Sequence, residues 1–209
     1  MHSNCRTVRW VVGCFLVLVA TVTNTFAPVR GNADESSNDS AVLPMAYLEA
    51  CTEGNIEYVK QSLKDNPDWL NGQSPQGESC LHLTGIKGQT QVTKFLLEAG
   101  ADANIRTSFE LGQRMTPLTW NVYGGHVENA RLLLEHGADV NIDIDWPNSD
   151  NADKIATPLD MILEILPTSR DHQPDEVPPE LEKYYNMKIL LEENGAKRYA
   201  DLSKATEEL

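Results

Sequence analysis

Five histidines, four cysteines and 31 acidic residues are the chain's raw material for chemistry, and their spacing decides what they can do. His82, His126 and His136 stand singly, with no His, Cys or Asp grouping at the short intervals a metal site needs. Asp143-x-Asp145 begins like a calcium loop. Pro147, however, takes the next odd position, and Lys154 stands where such a loop ends on glutamate. No glycine-rich loop follows a strand to cradle phosphate, and no nucleophile–base pair stands out. The expectation is a non-enzymatic chain with no catalytic residue, no metal and no cofactor.

The elements that would position any site repeat at intervals. Gly100-Ala101-Asp102-Ala103-Asn104, Gly137-Ala138-Asp139-Val140-Asn141 and Gly195-Ala196-Lys197 each close an apolar run. From Ser79 to Gly100 is 21 residues, and from Thr116 to Gly137 is again 21. Helix starts at Thr116-Pro117 and Thr157-Pro158 place a hydroxyl at the N-cap and proline at the first helical position. Glycine past the helix end accepts the left-handed conformation that stops it. Helices of roughly ten residues do not hold alone in water, so copies must stack and bury their apolar faces together.

Ser79-Cys80-Leu81-His82, Thr116-Pro117-Leu118-Thr119, Thr157-Pro158-Leu159-Asp160, Gly125-His126-Val127-Glu128 and the Gly-Ala-Asp-x-Asn endings together resemble the ankyrin repeat family. The resemblance runs from about Pro44 to Tyr199. It implies an all-α fold, an ankyrin solenoid of about four helix-turn-helix units carrying long β-hairpin or loop fingers. The domains are a leader at 1–33, an acidic linker at 34–43, repeats at 44–199 and a C-terminal tail at 200–209. Within the repeats the units are 44–76, 77–113, 114–154 and 155–199.

In the first unit, Tyr47, Ala50 and Cys51 mark the inner face of one helix, and Ile56, Val59 and Leu63 line the next at helical spacing. Asn66-Pro67-Asp68-Trp69-Leu70-Asn71 replaces the usual ending, yet Asn71 to Asn104 keeps the interval of 33 residues. The fourth unit is longer: Thr157 to Gly195 is 38 residues, which places a proline-punctuated insertion near 168–183, with Tyr184, Met187 and Leu191 resuming the helix. Surplus residues between units fall in 105–115 and 142–156, where Ile142-Asp143-Ile144-Asp145-Trp146 alternates as a strand does.

Arg6 and Arg9 precede a charge-free apolar core starting at Trp10, the pattern of a secretory signal peptide. Secretion or residence in a lumen is the expected localisation. Two alternatives stay open: retention of residues 10–27 as an N-terminal membrane anchor, and a plastid through the bipartite-leader-like Thr25-Phe26-Ala27-Pro28. Losing residues 1–33 removes three arginines and no acid, taking the net charge from −14 to −17. Such a field favours a neutral or basic protein partner and repels nucleic acid and anionic lipid; the expected form is a monomer with no membrane contact after leader cleavage. Asn38-Asp39-Ser40 is a glycosylation sequon.

The resemblance also assigns roles residue by residue. It implies that His82 hydrogen-bonds within the repeat. Asn104 and Asn141 fit the pattern of ankyrin asparagines that are hydroxylated by a cytosolic enzyme; the leader argues against that, and tying the hairpin turn is the expected role. Cys51 sits in the first helix of its unit and Cys80 at the proline position of the next. They are 29 residues apart, five fewer than Gly54 and Gly88. Counted along the helices, that offset exceeds the roughly 7 Å Cα limit for bridging, so two unpaired, buried thiols are expected.

Positions that vary with the partner map to Glu49, Thr52, Glu53, Leu83, Ile86, Lys87, Trp120, Tyr123, Gly124 and Met161. Among them Leu83, Ile86, Trp120, Tyr123 and Met161 form an apolar stripe where solvent is expected, the mark of a binding site. Phe109 and Trp146 would add to it from the fingers. Trp120 is the expected anchor, at a position the fold leaves free, unless the fingers fold back and cover the stripe. The expected function is scaffolding or adaptor binding of a protein; a membrane-anchored adaptor and an enzyme are the rivals.

Overall fold

The computed structural model describes residues 43–75, 77–107, 114–145, 155–167 and 177–207. Among them, helices follow one another in antiparallel-type pairs separated by tight turns. The helices are α1 (Met45–Glu53), α2 (Ile56–Asp65), α3 (Cys80–Lys87), α4 (Thr90–Glu98), α5 (Pro117–Gly124), α6 (Val127–Glu135), α7 (Pro158–Ile165), α8 (Pro179–Glu193) and α9 (Tyr199–Glu207). The leader, Asn38, Phe109, Trp146 and the segment 168–176 lie outside the described residues.

Reciprocal capping starts three of the four units. The Thr116 N–H donates to Thr119 Oγ1 at 2.8 Å and the Thr119 N–H returns to Thr116 Oγ1 at 3.4 Å. Thr157 and Asp160 repeat the exchange, and the Ser79 N–H donates to His82 Nδ1 at 3.1 Å. Two orphan amides are satisfied at each start, and Pro117 and Pro158 occupy N1, where no amide is missed. Unit 1 differs: α1 begins after Pro44 with no side-chain cap.

Helices α1, α3, α5 and α7 stack as an inner row, and α2, α4, α6 and α8 as an outer one. Between the rows lies a continuous core that includes Tyr47, Leu81, Leu96, Leu118, Leu133, Ile162, Met187 and Leu191. Asparagines bind successive units along one edge. Asn71 Oδ1 accepts from the Asp102 N–H (2.8 Å), Asn104 Oδ1 from the Asp139 N–H (2.7 Å) and Asn141 Oδ1 from the Lys197 N–H (2.7 Å). The amides of Asn104 and Asn141 donate onward to the Gly137 and Gly195 carbonyls. These side chains therefore tie one unit's turn to the next, a longer reach than the local turn role expected of them.

The fingers are hairpins at their bases. Gln73 bridges to Ser79, the Thr107 N–H donates to the Met115 carbonyl, and β1 (Ile144–Asp145) pairs antiparallel with β2 (Ile155–Ala156). The alternating segment thus yields a strand of two residues.

Three local departures from expectation have physical causes. Leu43, assigned above to the linker, is 2% exposed and packs on Gly72, where a Cβ would come 2.8 Å from Leu43 Cδ2. The unusual ending of unit 1 forms a 3-10 turn at Pro67–Leu70 that lays Trp69 against Tyr47, ring centroids 5.2 Å apart. Helix α8 starts at Pro179, five residues before Tyr184, because Pro178 and Pro179 are compatible with a helix's entry and first position.

The cysteines overturn the expectation of free thiols. Cys51 and Cys80 are joined in a disulfide with Cα atoms 5.4 Å apart. The count along the helices failed because residue spacing alone does not fix which side chains of neighbouring inner helices approach. Gly85 matches Val122 by unit spacing, yet a Cβ on Gly85 would meet Trp120 Cβ at 3.1 Å and Asn121 Nδ2 at 3.0 Å. At this contact α3 meets α5 one to two residues nearer the α5 N-terminus than the unit spacing gives. Cys80 lies one turn before Leu83, the counterpart of Trp120, on the same face. The five-residue offset thus lies within one helical turn of that contact.

Candidate functional site

Glu49, Thr52 and Glu53 on α1, Leu83, Ile86 and Lys87 on α3, and Tyr123 and Gly124 at the end of α5 are all at least partly exposed. Lys87 Nζ reaches both Glu53 carboxylate oxygens, at 2.7 and 2.8 Å. This ion pair links units 1 and 2 across residues 34 positions apart. Both side chains are more than half exposed or close to it, so the pair contributes little to stability and orients the surface. Beside it, Leu83, Ile86 and Tyr123 are half-buried and pack on the core.

Trp120 and Met161 correct the expected stripe. Trp120 is 9% exposed and Met161 0%. Glycine at position 85 is the cause for Trp120: without a side chain there, α5 approaches closely enough for the indole to sink between the helices. Its ring then meets the buried His82 imidazole edge-on at 5.8 Å. Trp120 is thus part of the core, and the fold does not leave its position free. Leu83, Ile86 and Tyr123 keep partial exposure. Phe109 and Trp146 lie outside the described residues.

One contribution was invisible in the sequence. The early start of α8 carries Lys183 and Tyr184 back over the α5–α6 turn. There Lys183 Nζ donates to the Gly124 carbonyl at 3.0 Å and the Tyr184 hydroxyl to the Tyr123 carbonyl at 3.3 Å. The fourth unit therefore borders the face at its Tyr123 end.

The fingers are clasped to one another. Gln73 donates to the Arg106 carbonyl at 2.6 Å, and the Arg106 guanidinium grips the Asp143 carbonyl (2.6 Å) and carboxylate (2.8 Å). Arg114 adds its charge to Asp143 at 3.6 Å. Partial burial alone would raise the Asp143 carboxyl, but the Arg106 hydrogen bond and the two arginine charges outweigh it and hold it below the usual range. The acid that suggested calcium is engaged by arginine instead.

His82 is fully buried. Its Nδ1 accepts from Ser79, so Nε2 carries the proton and donates to the Met115 carbonyl at 3.1 Å, in the next finger. Burial pushes its pKa down to about 4, against the opposing pull of the Met115 and Ile105 carbonyls. Both ring nitrogens are occupied, which leaves the imidazole to bracing. Asp160 takes the matching position in unit 4 with the polarity reversed. Its carboxylate accepts from the Tyr199 N–H at 2.8 Å and from Arg198 Nε at 3.1 Å, anchoring the start of α9. Burial works to raise the Asp160 carboxyl; its hydrogen bonds from Tyr199, Thr157 and Arg198 prevail and lower it. Among the described residues no three His, Cys, Asp or Glu side chains are placed to hold a metal ion, and no helix is long and apolar enough to cross a membrane.

Short helix pairs with capped starts, stacked in two rows and laced by asparagines along one edge, define a linear helical-repeat solenoid, whose curvature creates an extended surface. Residues 47–144 belong to the ankyrin repeat family, matching its model of ankyrin repeats in three copies. The match ends before α7, so the fourth unit rests on Thr157-Pro158-Leu159 and its capping geometry. The chain is 41% identical over 80 residues to the probable 26S proteasome regulatory subunit p28 of Saccharomyces cerevisiae, covering 37% of this chain and 34% of that protein. It is 29% identical over 114 residues to the ankyrin repeat and SAM domain-containing protein 6 of Rattus norvegicus, covering 54% and 12%. To the palmitoyltransferase AKR1 of Lachancea kluyveri it is 31% identical over 99 residues, covering 46% and 13%. The chain thus spans about a third of the first relative and about an eighth of the other two.

Proposed function

We propose that this chain is a non-enzymatic adaptor that binds a protein partner through the inner-helix face around Leu83, Ile86 and Tyr123. The observation carrying the proposal is that these three apolar side chains stay partly exposed on the inner row. Ankyrin repeats generally mediate protein–protein interaction. A net charge of −14, and −17 without residues 1–33, favours a neutral or basic partner. The similarity to a palmitoyltransferase covers 13% of that enzyme, too little to carry its activity across. We place the protein in the secretory pathway, supported by the leader-like residues 1–33 and by a disulfide of the kind that persists in oxidising compartments. The plastid and membrane-anchored alternatives share that leader.

Photo-crosslinking residues introduced at Leu83 or Tyr123 in the full chain test the proposal, with Tyr58 on the outer helix α2 as control. A specific partner should be captured from both inner positions, and capture from Tyr123 should be lost when Leu83→Glu is added, with the helical signal unchanged. Equal capture from Tyr58 would refute the assignment of the face.

A further inference from the structure

We infer that the Cys51–Cys80 bond is a maturation cross-link on which unit 1 depends, so that the array is completed only where an external disulfide can oxidise the pair. Three observations meet here. Among the described residues unit 1 is the first of the array and has a single neighbouring unit, whereas an interior unit has two. Its first helix starts without the side-chain cap that opens α5 and α7. Its second helix ends on Asn66 and a 3-10 turn in place of the glycine-closed ending of units 2 and 3. The unit whose entry helix is uncapped is the one covalently fastened to its neighbour.

The position is also telling. Cys80 occupies N1 of α3, where units 3 and 4 carry Pro117 and Pro158. The proline that would pre-set the helix start is replaced by the residue that bonds to unit 1. Cys51 and Cys80 are both fully buried, so the exchange precedes docking of α1 on α3 or requires its opening. One cysteine thiolate attacks an external disulfide, forming a mixed disulfide and releasing one thiolate. The second cysteine's thiolate then attacks the protein-bound sulfur of that mixed disulfide. The Cys51–Cys80 bond closes as the second external thiolate leaves. The protein dithiol loses two electrons, the external disulfide becomes two thiols, and these take up the two cysteine protons. Fastening unit 1 also holds Glu53 opposite Lys87 and Asn71 beneath Asp102.

The full chain, made through a secretory route, is alkylated in denaturant without reductant, digested without reduction and mapped by mass spectrometry. Peptides containing Cys51 and Cys80 should be recovered joined. Prolonged dithiothreitol, and separately Cys51→Ala/Cys80→Pro, which restores the proline of the other units, should raise amide exchange in residues 45–65 at least tenfold and leave 117–135 unchanged. Recovery of both cysteines as alkylated thiols would overturn the inference. So would a joined pair whose loss leaves exchange in 45–65 unaltered, or speeds 117–135 equally.

Discussion

Replacing Trp120 by alanine distinguishes a core residue from a binding anchor. An indole buries roughly 200 Å² on folding, and at about 25 cal/mol per Å² this is about 5 kcal/mol of transfer free energy. The retained alanine methyl and a compact unfolded chain reduce that figure, while the cavity against His82 and Gly85 adds to it. The expected cost of Trp120→Ala is about 3–5 kcal/mol. With a urea dependence of about 2 kcal/mol per molar, the midpoint should fall by roughly 1.5–2.5 M. Leu133→Ala, at a residue 0% exposed, is the matched core control at about 2–5 kcal/mol. Urea unfolding followed by circular dichroism on all three proteins reads both values. A midpoint within about 0.5 M of the parent for Trp120→Ala, beside a destabilised Leu133→Ala, would refute the placement and return Trp120 to the surface.

His82 has its folded pKa depressed to about 4, below the ordinary 6.5, so the unfolded chain binds a proton first as pH falls. Its contribution is present above pH 6.5 and is lost between about 6.5 and 4, up to roughly 3 kcal/mol; urea midpoints across that window should fall, and less steeply in His82→Gln. His126, also lowered by burial, acts with the same sign. Asp143 and Asp160, both depressed, keep their contribution above about pH 4 and lose it below, a second step that Asp160→Asn should shrink in the same titration. Asn104→Ala removes two cross-unit hydrogen bonds and should cost about 1–3 kcal/mol, with faster amide exchange at Asp139. A loss under about 0.3 kcal/mol would show the asparagine edge to be incidental.

The repeat family and helical class were legible in the sequence because they rest on local chemistry. Capping at Ser79, Thr116 and Thr157, prolines 117 and 158 and the glycines after α4 and α6 act within a few residues, and their spacing survives in a linear string. Core positions such as Leu81, Leu118 and Leu133 follow from the same helical period. What the string could not hold is how far one unit slides and leans on the next. That single degree of freedom joins Cys51 to Cys80, sinks Trp120 against His82, and sets Leu83, Ile86 and Tyr123 apart as the partly exposed apolar residues among those mapped to the face. It also let α8 reach Tyr123 from 61 residues away. Helix starts are decided by residues three apart; helix-to-helix approach is decided by the bulk of side chains on two separate segments, Gly85 and Trp120 among them. The sequence by itself determined the units, and only their packing decided the face.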